Sequence, residues 1–222
     1  MTKKYGPSVL EVDALLFDLD GTLIDSKQDI ATAVNLTLHE LGLPTRSRDE
    51  IFSFVGDGVK RLLRLSVGEE NLEQYEQALH VFRGHYLTHC LDTTRLYPGM
   101  WEALQHFKAK RKAIVTNKSR EYTMRILEGL GIVNWFTAIE SPEDRADLKP
   151  EPSMIWRVLS TCRVSGERAV MIGDSTTDIR AAQAAKIKSC AVLYGYGNLE
   201  KIHALCPDCY CARPIDLTTL FV

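Results

Sequence analysis

The sequence predicts an α/β fold, a doubly wound parallel sheet carrying an inserted all-helical unit. Short apolar runs recur along the chain, segments with helical spacing separate them, and residues 26–92 read as helical throughout. Strands that alternate with helices build right-handed crossover units, and sheets of this kind bind ligands beyond the carboxyl ends of their strands. Chemistry is therefore to be sought in residues that follow strands.

Taken in order, residues 12–17 (VDALLF) form a nearly unbroken apolar run, the pattern of a strand buried on both faces. Similar runs follow at 113–115, 136–139, 169–172 and 190–193, and more weakly at 209–212. Helical spacing marks 100–107, 122–130, 154–159 and 179–185. Within 26–92, Ile30, Ala33, Val34, Thr37 and Leu38 share one stripe, and further helical segments cover 51–55, 62–65 and 72–87. Ser26 and Asp29 have capping-box spacing, and residues 42–44 (GLP) make a stop. The expected division is a core of residues 1–25 and 93–222 with residues 26–92 inserted after the first strand. No internal repeat of solenoid period is present.

The 222 residues are 45% hydrophobic and 25% charged, the proportions of a globular protein with a substantial core. The formal net charge of −2 supplies no basic field for a nucleic-acid backbone, so no nucleic-acid partner is expected. Residues 1–10 lack the apolar run of a secretory signal, and no stretch is long and apolar enough to cross a bilayer, so no membrane partner and a cytoplasmic location are expected. Of the six cysteines, Cys90, Cys162 and Cys190 stand alone in sequence, which fits small buried hydrophobes in a reducing compartment. Oligomeric state is left open.

Hydrolysis of a phosphate ester needs an aligned nucleophile, neutralised oxygens and a protonated leaving group. Four segments just past expected strands offer candidates. In residues 17–23 (FDLDGTL), a carboxylate directly after a buried strand is held at the sheet edge, and a second, two residues on, can face the same space once Gly21 turns the chain. Asp18 would attack phosphorus to give an aspartyl-phosphate. Asp20 would protonate the departing alkoxide and then take a proton from the hydrolytic water. The alternative is a strand-end turn rich in Asp and Gly.

The second segment is Thr116-Asn117, where a hydroxyl and the backbone N–H groups opening a helix can bind phosphate oxygens. Alternatively, Thr116 or Ser119 caps that helix. The third is Lys149-Pro150-Glu151-Pro152, which offers a compact positive charge for a transferring phosphoryl group, or else an ordinary surface turn. In the fourth, residues 173–178 (GDSTTD), Asp174 would complete an oxygen-only Mg²⁺ site with Asp18 and the backbone carbonyl of Asp20. Asp178 either forms a capping box with Ser175 or orients Lys149. The four segments come in the order nucleophile, hydroxyl, lysine and metal acid, an order that chance does not readily produce.

These residues resemble the four sequence motifs of the haloacid dehalogenase superfamily, in particular its phosphoglycolate-phosphatase-like members. The matching stretches are FDLDGTLIDS (17–26), VTNK (115–118), LKPEP (148–152) and MIGDSTTDI (171–179), with LYPGM (96–100) and Tyr194-Gly195-Tyr196-Gly197 as intervening landmarks. The resemblance spans nearly the whole chain. It implies a Rossmann-like core, a helical cap domain at 26–92 and an obligatory Mg²⁺. It also implies a phosphatase of small phosphorylated metabolites, with phosphoglycolate the leading substrate. The implied roles are Asp18 as nucleophile, Asp20 as acid/base, Thr116 and Asn117 as phosphate contacts, Lys149 as neutralising charge and Asp174 as metal ligand. Val55-Gly56-Asp57-Gly58-Val59 resembles the cap loop that dips toward the active site in such enzymes, which makes Gly56 a substrate-binding candidate. Arg61, close by, would meet a substrate carboxylate, or is a surface arginine after a helix-linking turn.

Other features have plainer readings. His203, Cys206, Cys209 and Cys211 supply soft ligands, yet Cys209 and Cys211 alternate with Tyr210 and Ala212 as strand residues do, which favours buried thiols over structural zinc. His80, His85 and His89 read as a polar helix face, and Gly195 and Gly197 lack the setting of a dinucleotide fingerprint. The competing functions are a β-phosphoglucomutase-like mutase, a pyrophosphatase, a dehalogenase and a non-catalytic phosphate-binding module. A dehalogenase needs neither Asp20 nor Asp174.

Overall fold

In the computed structural model, which describes residues 9–56, 58–142 and 147–222, the run at 12–17 becomes strand β1 (Ala14–Phe17). It lies inside a six-stranded sheet with β4 (Arg111–Val115), β5 (Ala138–Glu140), β6 (Ala169–Gly173), β7 (Lys188–Val192) and β8 (Cys209–Cys211). The spatial order is β5-β4-β1-β6-β7-β8, and every pairing is parallel. Successive side chains point to opposite faces, so Leu15, Phe17, Ile114, Val170 and Ile172 join one core while Ala14, Leu16, Ala113, Val115 and Met171 join another. Both faces are covered, which is why the strands read as continuous apolar runs and not as alternating ones.

The second core is closed by α7 (Ser153–Cys162) and α8 (Thr176–Ala185) through Met154, Ile155, Val158, Ala181 and Ala182. The first is closed by α5 (Met100–His106), α6 (Arg120–Gly129) and α10 (Leu217–Leu220). A short helix, α9 (Leu199–His203), packs Ile202 against Ile179 and Ala191. From β1 the sheet grows one way to β4 and β5 and the other way to β6, β7 and β8, so the carboxyl ends of β4, β1 and β6 meet at the switch point. One of the expected strands is displaced. The run at 136–139 becomes Ala138–Glu140 because the residues before it are taken by a tight turn, Val133–Trp135.

The chain leaves this core through β2 (Ile24–Asp25) and returns through β3 (Arg95–Leu96), which pair antiparallel as a two-stranded ribbon. Between them stand α1 (Lys27–Glu40), α2 (Arg48–Phe54), α3 (Val59–Val67) and α4 (Tyr75–His89). The segment expected as one helix over 72–87 begins in a 3₁₀ turn, Glu69–Gln74, which is kinked at Asn71, and α4 takes over from Tyr75.

The expected capping box of Ser26 and Asp29 does not form. Asp29 instead accepts from Thr93 N at 3.0 Å, Thr93 Oγ1 at 2.6 Å, and Thr94 N and Oγ1 both at 2.8 Å. Four donors converging on a carboxylate that is only 1% exposed outcompete a local cap, and they fasten the start of α1 to the returning chain. The start of α1 is served from afar: the Tyr196 hydroxyl accepts from Ser26 N at 2.7 Å and Lys27 N at 3.1 Å. Asp29→Ala strands those four donors in the interior and is expected to cost about 3 kcal/mol in urea unfolding. A cost below about 1 kcal/mol would show that Asp29 is not the fastener.

The surface histidines do find carboxylates: His85 pairs with Glu40 and His89 with Asp92, each at 2.8 Å and each separately. Cys190 is alone in sequence but not in space, since it is the register partner of Cys209 on the neighbouring strand. His203 packs its ring 4.8 Å from that of Tyr210, and the Cys211 thiol donates to Arg213 O at 3.0 Å. Among the described residues, no helix is long and apolar enough to cross a membrane.

Candidate active site

Asp18 is the first residue past β1, and its N–H donates to Ile172 O at 2.9 Å, so the sheet itself sets its position. It lies at the floor of a partly enclosed cavity of about 740 Å³, counting the space at its mouth. Asp20, Thr116, Asn117, Lys149 and Asp174 line the same cavity from the core side. Val55, Gly56, Gly58, Val59 and Leu62 line it from the helical side, with Phe82 and Tyr86 of α4. The four separated sequence motifs therefore converge on one space.

Lys149 is almost wholly enclosed, and its ammonium has a partner for each of its three hydrogens. It donates to Asp18 Oδ1 at 2.7 Å, to Val115 O at 2.7 Å and to Asp178 Oδ1 at 2.6 Å. Both readings of Asp178 hold at once. Its other oxygen accepts from Ser175 N at 3.0 Å and Ser175 Oγ at 2.6 Å, which closes a capping box at the start of α8. Asn117 uses its side chain to hold the lysine's backbone, accepting from Lys149 N at 2.7 Å and donating to Lys149 O at 3.2 Å. For a phosphate oxygen Asn117 keeps its backbone N–H and the second hydrogen of its side-chain amide. Thr116 Oγ1 accepts from Lys118 N at 3.2 Å and keeps its own proton to give, while Ser119, the N-cap of α6, makes no side-chain cap bond.

Asp174 is the first residue past β6. Its Oδ2 accepts from Tyr196 N at 2.7 Å, and its Oδ1 accepts from Thr22 Oγ1 at 3.3 Å. The chain is pressed around it. Gly21, at φ +84°, has no room for a side chain because Asp174 fills the space, and a Cβ on Gly197 would collide with the backbone oxygen of Asp174. The Tyr194–Gly197 stretch thus has a physical role. Through Tyr196 it ties Asp174 to the start of α1, with the tyrosine hydroxyl also donating to Asp25 Oδ1 at 3.0 Å.

Carboxylates outnumber cations on this floor. Oxygens of Asp18, Asp174 and Asp178 all lie within 4.8 Å of one another around one ammonium. Burial pushes Asp18 up to about 7, with Lys149 opposing and Asp178 adding to the rise. Burial, then the charges of Asp18 and Asp178, push Asp174 up to about 8. Burial works against the Lys149 ammonium, but Asp178 and Asp18 outweigh it and its pKa is raised. Lys149 and Asp18 shift in the same direction because one positive charge faces several negative ones. A divalent cation fits that deficit. Asp18 and Asp174 line the cavity while Asp178 is fully buried behind Lys149, so Asp18 and Asp174 are the side chains that would hold it.

Asp20 accepts at Oδ1 from Ser26 Oγ at 2.5 Å, and from Lys118 Nζ at 3.0 Å to Oδ1 and 2.8 Å to Oδ2. Lys118 also donates to the Tyr86 hydroxyl at 2.6 Å. Neither Lys118, Ser26, Tyr86 nor Tyr196 stood out as a site residue in the sequence. Lys118 was within sight as the last residue of VTNK, but no periodicity marks a side chain that reaches back to another strand end. Arg61 stands apart: Val59 and Leu62 turn toward the cavity, and Arg61, between them on α3, is exposed and is not among the lining residues. Gly56 and Gly58 do line the cavity, with Gly58 close over the backbone oxygen of Asn117, whereas Asp57 is outside the described residues.

Residues 15–192 match the family model described as haloacid dehalogenase-like hydrolase. The phosphoglycolate phosphatase of Aquifex aeolicus (strain VF5) is 36% identical over 208 residues, covering 93% of this chain and 95% of that protein. That of Colwellia psychrerythraea is 39% identical over 207 residues, covering 89% and 92%. A haloacid dehalogenase-like family hydrolase of solved structure from Streptococcus pneumoniae superposes with a TM-score of 0.84 at 25% identity, covering 94% of this chain and 97% of that one.

Proposed function

The chain belongs to the haloacid dehalogenase-like hydrolase family, and on that premise we propose that it is a Mg²⁺-dependent phosphatase of small phosphate monoesters acting through an aspartyl-phosphate on Asp18, with phosphoglycolate the leading substrate. The observation that carries this reading is the arrangement at the cavity floor. A strand-end aspartate is fixed at one oxygen by a buried lysine and lies beside a second carboxylate that needs a cation. Residues 26–92 act as a cap domain over a core formed by 1–25 and 93–222, shielding the reacting phosphoryl group from water.

In this mechanism the Asp18 oxygen that Lys149 does not hold attacks phosphorus in line with the leaving oxygen. Lys149 neutralises charge on Asp18 and on the transferring group, and the Thr116 hydroxyl donates to a phosphoryl oxygen. Asp20, as the acid, gives its proton to the departing alkoxide. As the base, it then takes a proton from a water molecule that attacks the phosphorus of the acyl-phosphate, releasing inorganic phosphate and restoring Asp18. Mg²⁺, held by Asp18, Asp174 and the backbone carbonyl of Asp20, would neutralise the phosphoryl oxygens.

Metal binding has a pH signature. Asp18 and Asp174 have raised pKa values when folded, so between about pH 4 and 8 the metal-free folded state binds more protons than the unfolded chain. Stability of the metal-free protein therefore falls as pH rises through that window. Mg²⁺ opposes this by holding both groups ionised. At one fixed concentration, a hundredfold above its dissociation constant at pH 8.5, Mg²⁺ is expected to raise Tm by about 5–10 °C at pH 8.5 and clearly less at pH 6, where its binding must displace protons. An equal shift at both pH values would remove Asp18 and Asp174 as ligands.

The function itself is tested by a phosphate-release screen over phosphoglycolate, pyrophosphate, hexose phosphates and para-nitrophenyl phosphate, with and without Mg²⁺. Metal-dependent release, greatest with phosphoglycolate, is the expected result. Isomerised sugar phosphate without free phosphate would identify a mutase instead.

A further inference from the structure

Two ammonium groups line the cavity among the described residues, and they are not equivalent. Lys149 spends its three hydrogens on Asp18, Val115 O and Asp178, groups that are buried with it. Lys118 spends two of its hydrogens on a single carboxylate, at 3.0 and 2.8 Å to the two oxygens of Asp20. That pairing is redundant, since Ser26 Oγ also donates to Asp20 Oδ1 and would still hold it if Lys118 let go. The third hydrogen goes to the Tyr86 hydroxyl of α4, and the Tyr86 ring lies 4.7 Å from the ammonium. Tyr86 is itself fixed, packed against Phe82 at 5.2 Å and Tyr122 at 5.0 Å between ring centres. The remaining helical wall, with Ile30, Val55, Val59, Leu62 and Phe82, is apolar.

We propose that Lys118 is the specificity-determining residue that receives a second anionic group of the substrate, a carboxylate one carbon from the ester oxygen. In this role it turns from Asp20 to that carboxylate, while Tyr86 acts as its positioning residue. The inference rests on the phosphatase reading and deepens it by naming what selects the substrate. An anion entering against an apolar wall must meet a cation or bear the cost of desolvation. Arg61, on the exposed side of α3, does not line the cavity, and Lys149 has no hydrogen to spare. Lys118 has donors it can re-aim, and its anchor on the helical side keeps it in the pocket lining while it does so.

The test compares kcat/KM for phosphoglycolate and for ethyl phosphate, with Mg²⁺ present, in the wild type and in Lys118→Met, Lys118→Arg and Tyr86→Phe. The ratio of the two values is expected to fall about 10- to 100-fold in Lys118→Met and about threefold or more in Tyr86→Phe, and to recover in part in Lys118→Arg. A Lys118→Met enzyme that loses both substrates equally would overturn the proposal. If circular dichroism shows that variant unfolded, Tyr86→Phe decides by the same ratio, and an unchanged ratio counts against the proposal. Wild-type turnover of para-nitrophenyl phosphate separates the two levels. Turnover with an unmoved ratio sinks the role of Lys118 alone, while no Mg²⁺-dependent turnover of any ester sinks the phosphatase reading beneath it.

Discussion

Asp18→Asn is expected to lower turnover of every phosphate ester by at least about 10⁴-fold while leaving the fold intact. The amide has nearly the shape of the carboxylate but cannot attack phosphorus, and it withdraws one negative charge from the cation's binding place. The stability readout distinguishes this from unfolding. Asp18 is a buried acid whose pKa is raised to about 7, so its ionised form opposes folding near and above that pH. Removing its charge should raise, not lower, the Tm of the metal-free protein at pH 8. Loss of activity together with a lowered Tm would assign Asp18 a structural role, and near-normal turnover would refute it as the nucleophile.

Lys149→Met has the second largest expected effect, and it acts on both stability and rate. The ammonium joins Asp18, Val115 O and Asp178 in the interior, and removing it strands carboxylates that have little water to turn to. Breaking a buried ion pair from one side costs about 3–5 kcal/mol. Lys149 also opposes the rise of the Asp18 pKa, so its loss pushes that group up further. Protons then supply what the lysine did, and the stability loss in urea unfolding should be larger at pH 8 than at pH 5.5. Turnover should fall by about 10³-fold or more at either pH. A pH-independent stability loss would show that the lysine contributes packing and not charge.

The sheet was legible in the sequence because both of its faces are buried, which leaves runs such as 14–17 and 169–172 no polar position to confuse them. The groups placed at its edge were legible for a related reason: Asp18, Thr116 and Asp174 each follow a strand directly, so a strand boundary predicts their location. What could not be read were contacts between distant segments. Asp29 looked like a local cap partner for Ser26 but is taken by Thr93 and Thr94, and Ser26 instead bonds Asp20. Tyr196 supplies the cap of α1 from 170 positions away, and Lys118 reaches Asp20 across 98. Arg61 failed as a pocket residue because sequence proximity to the cap loop says nothing of which side of α3 it takes. The two-residue strands β2 and β3 are too short to carry a periodicity at all.

The measurement that tests the central claim most directly is acid quenching of the Mg²⁺-loaded enzyme during turnover of an aryl phosphate, followed by peptide mapping of the bound phosphoryl group. A good leaving group makes phosphorylation fast, so the covalent species should accumulate. The account predicts an acid-stable, hydroxylamine-sensitive acyl-phosphate on Asp18. A phosphoryl group mapped to any other residue, or rapid phosphate release with no residue labelled, would contradict it.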